Sequence, residues 1–170
     1  MKESASSPQL MQTLCLQFCR DYNFRTGQDK LTQVDIAQVD MDKLFKNSSG
    51  NSNCLTIYNI LRNGPKTRGS DRKVYAFVDR TKGDMYAAIL KAMAIGEPTL
   101  AFSFNEIKQR IDSVIVGGVP KGISILSPLT QMDKAVKGVS NEDRVLEVDE
   151  EKQTITILDP HFLHYLRWAV

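Results

Sequence analysis

Arg144-Val145-Leu146-Glu147-Val148-Asp149-Glu150-Glu151-Lys152-Gln153-Thr154-Ile155-Thr156-Ile157-Leu158-Asp159-Pro160-His161-Phe162-Leu163-His164-Tyr165-Leu166-Arg167-Trp168 carries two hydropathy periods in succession. Leu146 and Val148 fall on one face of a strand, Ile155 and Ile157 on one face of its return, and residues 149–152 make the turn between them. This is the period of a half-buried two-stranded ribbon. After Leu158 the pattern becomes helical. Asp159 supplies an N-cap acceptor, and Pro160 suits the first helical position because the N–H it lacks would go unpaired there anyway. A hairpin followed by a capped apolar helix closes a winged-helix domain well.

Upstream of this ending, three helices are expected. Asp84 caps one that carries Tyr86, Ile89, Leu90 and Met93 on one side, with Gly96 where a left-handed C-cap is wanted. Ser103-Phe104-Asn105-Glu106 is a capping box, and Phe102 with Ile107 forms a hydrophobic staple, so a helix is predicted over 104–114. Residues 114–122 lead into the third, with Ser124 or Ser127 as cap. Leu129, Met132 and Val136 face inward there, and Thr130, Gln131, Asp133, Lys134 and Lys137 face outward. Three helices and a ribbon follow the helix-turn-helix plan with a wing, in which the third helix is offered to a groove or a partner. The run Val74-Tyr75-Ala76-Phe77-Val78 ahead of them is β-prone.

The first 62 residues form a separate helical unit. Ser7 or Ser6 caps a helix with Pro8 in its opening turn, and Met11, Leu14, Cys15, Phe18 and Tyr22 follow helical spacing on one face. Gly27 lies in the polar stretch that ends it, and residues 31–40 read as a short strand or a loop. A brief helix over 42–45, a turn-rich break at Asn47-Ser48-Ser49-Gly50-Asn51-Ser52, and a helix bearing Cys54, Ile57, Tyr58 and Leu61 complete the unit. The chain is therefore expected to be mainly α: a helical unit over 1–62, a basic connection over 63–73 and a winged helix-turn-helix domain over 74–170, with a terminal β-hairpin and C-terminal helix.

At 170 residues, 42% of them hydrophobic, the chain can bury one ordinary core or two small ones. No apolar run approaches the roughly 20 residues a membrane helix needs, and the polar start is no secretory signal, so no membrane partner is expected and the location reads as cytoplasmic. The odd, sparse cysteines Cys15, Cys19 and Cys54 fit reduced thiols. Charge is divided unevenly. Residues 1–82 carry 13 Lys and Arg against 8 Asp and Glu, whereas residues 83–170 carry 9 against 12.

The basic surplus is densest at Arg62, Lys66, Arg68, Arg72 and Lys73, which meet only Asp71. Gly64, Pro65 and Gly69 punctuate the same stretch and mark it as a connection. Such a cluster can attract nucleic-acid phosphates. With Gln131, Lys134 and Lys137 on the third helix it makes the alternative reading, a stand-alone winged-helix DNA binder. Against it, the domain presenting that helix is net acidic, where DNA-binding domains usually show a basic footprint. Protein contact is the more economical use.

Other constellations fail on their chemistry. Gly117 to Gly122 has the spacing of a phosphate-binding loop, but Ile123 stands where its lysine must be and Pro120 removes a backbone N–H. Cys15 with Cys19 and His161 with His164 are each spaced to share a helix side, yet the cysteines adjoin an apolar stripe and pack as small hydrophobes. No metal is expected. A serine or cysteine nucleophile has only His161 and His164 as bases, both inside an amphipathic helix, so no catalytic residues are assigned.

Ser6-Ser7-Pro8-Gln9-Leu10-Met11-Gln12-Thr13-Leu14-Cys15, the Gly83-Asp84-Met85-Tyr86 helix start and the segment from Ile157 through Asp159-Pro160 to Trp168 together resemble the C-terminal part of prokaryotic AAA+/STAND-type ATPases, the group that includes the archaeal ATPases. The resemblance implies that residues 1–62 are a lid-like unit followed by the winged helix. It implies ATP or ADP for a parent protein, and a P-loop ATPase core in the same or a separate chain as partner. A Gly-x-Pro element opens the family's lid and its proline packs on adenine. Ser6, Ser7 and Pro8 match it with Ser6 in place of the glycine, so only Pro8 is carried over. The phosphate-binding loop, magnesium acid and sensor residues have no counterpart. The chain would then be a fragment or one subunit of a split protein, a regulatory and interaction module that binds no nucleotide and is no enzyme by itself.

Overall fold

The computed structural model describes residues 2–24, 26–27, 33–50, 52–65, 71–120, 123–138 and 144–170. Among them the chain is mainly helical with small antiparallel sheets. A 3-10 turn at Lys2–Ser4 precedes α1 (Pro8–Asp21); another at Ile36–Gln38 precedes α2 (Met41–Ser49), and α3 (Ser52–Asn63) follows. Then come β1 (Tyr75–Ala76), β2 (Lys82–Gly83), α4 (Met85–Ala94), β3 (Ala101–Ser103), α5 (Phe104–Val114), α6 (Leu126–Lys137), β4 (Leu146–Asp149), β5 (Thr154–Ile157) and α7 (Pro160–Trp168).

Local chemistry sets most of these boundaries. Ser7, Asp84, Ser103 and Asp159 accept from backbone N–H groups in the first turns of α1, α4, α5 and α7, each cap worth about 1 kcal/mol. Pro8 and Pro160 open their helices as expected. Gly96 has φ +74, the left-handed conformation that ends α4 at low cost. Phe102 and Ile107, the two halves of the staple, are both buried. Glu106 turns its carboxylate to Arg110 one turn along α5.

The terminal ribbon forms in the expected register, Leu146 opposite Ile157 and Val148 opposite Ile155. Lys152 N donates to Asp149 Oδ1 at 2.9 Å across its turn. β3 adds a third strand on the far side of β5, giving the order β3-β5-β4. Residues 101–103 are too few to display a period, which is why only their capping role shows in the sequence. β1 and β2 form a second small sheet, and Phe77 bridges to Ile115.

Two buried clusters hold the chain. The larger gathers α3 (Cys54, Ile57, Leu61) with residues from α4, α5, α6, α7 and all three strands of the larger sheet. The smaller consists of Leu10, Leu14, Leu44 and Phe45, with Phe18 and Trp168 against it. Thus α1 packs on α2, and α2 on α7. The helix α3, read from the sequence with the first unit, shares its buried face with α4 to α7.

Several local expectations are corrected. α1 buries Leu10 and Leu14, with Phe18 half-buried, while Cys15 and Tyr22 are exposed. Two overlapping stripes had the right spacing, and α2 with Trp168 covers only the one through Leu10. α2 runs on through Ser49, with the Ser48 and Ser49 hydroxyls donating to the carbonyls of Phe45 and Lys46. α6 starts behind Ile125 without a side-chain cap, so neither Ser124 nor Ser127 serves as one. Asp133 is not on the outer face of α6. It is buried and paired with Lys137 at 2.5 Å and Arg144 at 3.4 Å. The proposed strand or loop at 31–40 is partly outside the described residues; from 33 on it is irregular apart from the 3-10 turn at Ile36–Gln38. No helix among the described residues is long and apolar enough to cross a membrane.

His164 sits in the seam between α2 and α7, 2% exposed, with Nε2 2.8 Å from Ser48 Oγ. Since Ser48 directs its hydroxyl proton to Phe45 O, its oxygen accepts from Nε2–H, which leaves Nδ1 bare and without a partner among the described residues. Burial, opposed in part by the charge of Glu3, pushes the imidazole pKa down from 6.5 to about 4; His161 and Arg167 on α7 push the same way as burial. The unfolded chain therefore binds the extra proton across that window, and stability must fall as pH falls from 6.5 toward 4. Urea unfolding at stepped pH should show this as a slope of up to about 1.4 kcal/mol per pH unit. His164→Gln should flatten the profile above pH 5, where carboxylates contribute little; an unchanged slope would remove His164 as its source.

Candidate functional site

Of the cationic cluster that the alternative reading assigns to phosphates, Lys66 and Arg68 lie outside the described residues. Arg72 is committed to the fold. One Nη donates to Asn63 O at 2.6 Å and to Asp84 Oδ2 at 2.7 Å, the other to Pro65 O, and the guanidinium lies 4.5 Å from the centre of the Tyr86 ring. It ties the end of α3 to the N-cap of α4. Gly64 permits the close approach: its φ is +56, and a Cβ there would stand 2.8 Å from atoms of the Tyr86 ring. Lys73 rests over Tyr75 and is exposed, as is Arg62 on α3.

The same internal use reaches α6. Tyr86 donates its hydroxyl proton to Gln131 Oε1, and Gln131 Nε2 points to Ser127 Oγ at 3.4 Å. Lys137 is held by Asp133. Thr130 donates to Glu150, so the acidic tip of the ribbon leans on this helix. Of Gln131, Lys134 and Lys137, only Lys134 is exposed with no side-chain hydrogen bond or ion pair among the described residues. Pro8 is exposed at the first turn of α1.

A groove of about 430 Å³ lies elsewhere, between the ends of α3, α4 and α7 and the β1–β2 hairpin. Phe77, Ala87, Leu90, Ala94 and Leu166 supply its apolar surface, and Arg62, Lys82, Lys91 and Asp79 its polar rim. Lys91 and Asp79 neutralise each other at 2.6 Å. The lysine hydrogen bond, with further ones from Thr81, holds the Asp79 carboxyl well below the usual carboxylate range. Arg167 is occupied too. Its guanidinium makes two bonds to Glu3, at 3.0 and 2.9 Å, and donates to the Ala94 and Gly96 carbonyls at 2.6 and 2.8 Å. Burial alone would raise the Glu3 pKa, but these bonds and one from Trp168 outweigh it and lower the value. Arg62 and Lys82 remain without a counter-ion among the described residues.

Sequence reasoning missed this groove because its walls come from segments some hundred residues apart, none with a motif of its own. The hypothetical Cys and His quartet is not assembled: no group of three or more metal-ligating side chains occurs among the described residues. Cys15 is exposed, and Cys54 is buried, which raises its thiol pKa to about 11. No protein-family model, curated protein or solved structure matches the chain.

Arg72 is expected to be a stability residue. Arg72→Ala should cost about 2 kcal/mol in urea unfolding, since it strips a half-buried carboxylate and two carbonyls of their donor. Arg72→Lys should recover little because an ammonium cannot reproduce the fork. Lys73→Ala should stay within about 0.5 kcal/mol of the parent. Equal effects at Arg72 and Lys73 would contradict this assignment.

Proposed function

We propose that the chain is a non-catalytic interaction module of winged-helix type, serving as the regulatory C-terminal end of an AAA+/STAND-type ATPase. The observation that carries the winged-helix part is the succession α4-β3-α5-α6-β4-β5 with the sheet order β3-β5-β4. On this reading α5 and α6 are taken as the helix-turn-helix pair and the 146–157 ribbon as the wing. The ATPase part rests on the sequence resemblance. Exposure of Pro8 at the head of α1 is compatible with the adenine contact which that resemblance implies. ATP or ADP held by a P-loop core in the same or another chain would then bias the lid-like helices and the winged helix between two arrangements, and so couple nucleotide state to partner binding.

Protein contact is favoured over DNA by the state of α6. A base-reading helix needs free donors and acceptors at the groove floor. Here Gln131 is engaged by Tyr86, Lys137 by Asp133, and the acidic ribbon tip stands beside the helix. Fluorescence anisotropy with labelled duplex DNA at about 50 mM salt tests this directly. Only weak, sequence-independent binding should appear, and Lys134→Ala should leave it nearly unchanged. Tight binding with a steep salt slope that Lys134→Ala flattens would transfer the assignment to a DNA binder. Turnover of ATP by the purified chain would remove the module reading altogether.

A further inference from the structure

We propose that the groove between α3, α4, α7 and the β1–β2 hairpin, with the valine face beside it, is the docking site for an acidic amphipathic segment of a partner protein. Strand period places Tyr75 and Phe77 inward, where they are buried. Val74, Ala76 and Val78 then face out, and Val74 and Val78 are 62% and 63% exposed. Val116 lies alongside, its N–H donating to Ala76 O at 2.9 Å, and is 61% exposed. Four small apolar side chains therefore share one exposed face. Val78 also lines the groove, so the face continues into the concave apolar surface made by Phe77, Leu90, Ala94 and Leu166. Scattered exposed valines need no explanation, but a contiguous patch running into a cleft marks an interaction site.

Charge selects the occupant. Arg62 and Lys82 on the rim, and Lys73 and Arg80 in and beside the hairpin, have no ion-pair partner among the described residues. The nearby cations with structural duties do have one: Arg72 pairs with Asp84, Lys91 with Asp79 and Arg167 with Glu3. What remains for a ligand is an apolar trough with positive lips. An amphipathic segment with large apolar side chains at i, i+3, i+4 and i+7 and carboxylates along its flanks complements both features. A flat anionic membrane would meet the valine face and the cations but leave the groove floor unfilled, so the concavity favours a polypeptide. The inference rests on reading the chain as a protein-contact module and adds the face and the partner's chemistry. It uses neither α6 nor the ribbon.

The test uses the whole chain and two fluorescein-labelled peptides: one with Leu and Phe at that spacing and Glu at the remaining positions, and its counterpart with Lys for Glu. Anisotropy should show the acidic peptide binding in the micromolar range, with backbone amide shifts in NMR spectra concentrated at Val78, Leu90, Ala94 and Leu166. The basic peptide should bind at least tenfold more weakly. Arg62→Glu with Lys82→Glu, both exposed positions whose folding is checked by circular dichroism, should weaken the acidic peptide at least tenfold. Lys134→Glu on α6 should leave it unchanged. Absence of acidic-peptide binding, equal binding of the two peptides, or shifts confined to α6 would overturn the proposal. Sedimentation with phosphatidylserine vesicles in place of peptide binding would also overturn it, in favour of a lipid surface. DNA binding that depends on Lys134 would fail the module reading instead, so the two failures are distinguishable.

Discussion

α4 is buried along most of its length, and the N–H and C=O groups that a helix leaves unpaired at its two ends are met here by side chains from other segments. Eight of its ten residues are buried. At the N-terminus Asp84 accepts from Tyr86 N and Ala87 N, and Arg72 fixes Asp84 in turn while reaching back to the end of α3. At the C-terminus Arg167 takes the carbonyls of Ala94 and Gly96, and Arg110 that of Ile95. Three arginines from three distant segments thus act as end-pieces for one helix. Arg72 ties the N-terminal end of α4 to the end of α3, and Arg110 and Arg167 tie its C-terminal end to α5 and α7.

This explains why parts of the fold were legible in the sequence and others not. Caps at Asp84, Ser103 and Asp159, the left-handed Gly96 and the alternation of the terminal ribbon are written within a few residues of where they act. The covered side of α1 is not, because Leu10 and Cys15 both belong to stripes of helical spacing and only α2 decides between them. β3 is too short to show a period. Asp133 looked outward since a charged residue on a helix defaults to solvent, and its partner Arg144 stands 11 residues further along the chain. The candidate site followed the same rule. Clustering of Arg62 to Lys73 was visible, but that Arg72 is structural depends on Asp84 and Tyr86, and the groove needs the end of α7 brought against α3, α4 and the hairpin.

A count of positive residues is thus a poor guide to the surface of this protein. Arg72, Lys91, Arg110, Lys137, Arg144 and Arg167 all face an internal carboxylate. A cation balanced in this way contributes little field outside the molecule. Among the described residues the cations without an ion pair are Arg20, Lys43, Lys46, Arg62, Lys73, Arg80, Lys82, Lys108 and Lys134, and of these Lys134 alone lies on α6, the helix that a winged-helix DNA binder would use. An acidic domain total and a basic face are therefore compatible in one chain.

The existence of two clusters of very different size sets an order of opening. α1 and α2 rest on α7 through four buried residues, the Phe45–Trp168 ring contact and the Ser48–His164 bond, whereas α4 is enclosed by the larger cluster. Detaching the N-terminal pair exposes the outer side of α7 and leaves the enclosed helix untouched. Amide exchange in α1 and α2 is then governed by that partial opening, and exchange in α4 by global unfolding. Because α7 belongs to both clusters, it is the hinge post of the molecule: among the described residues the α1–α2 pair meets the larger cluster chiefly through this helix, with the Glu3–Arg167 clasp beside it.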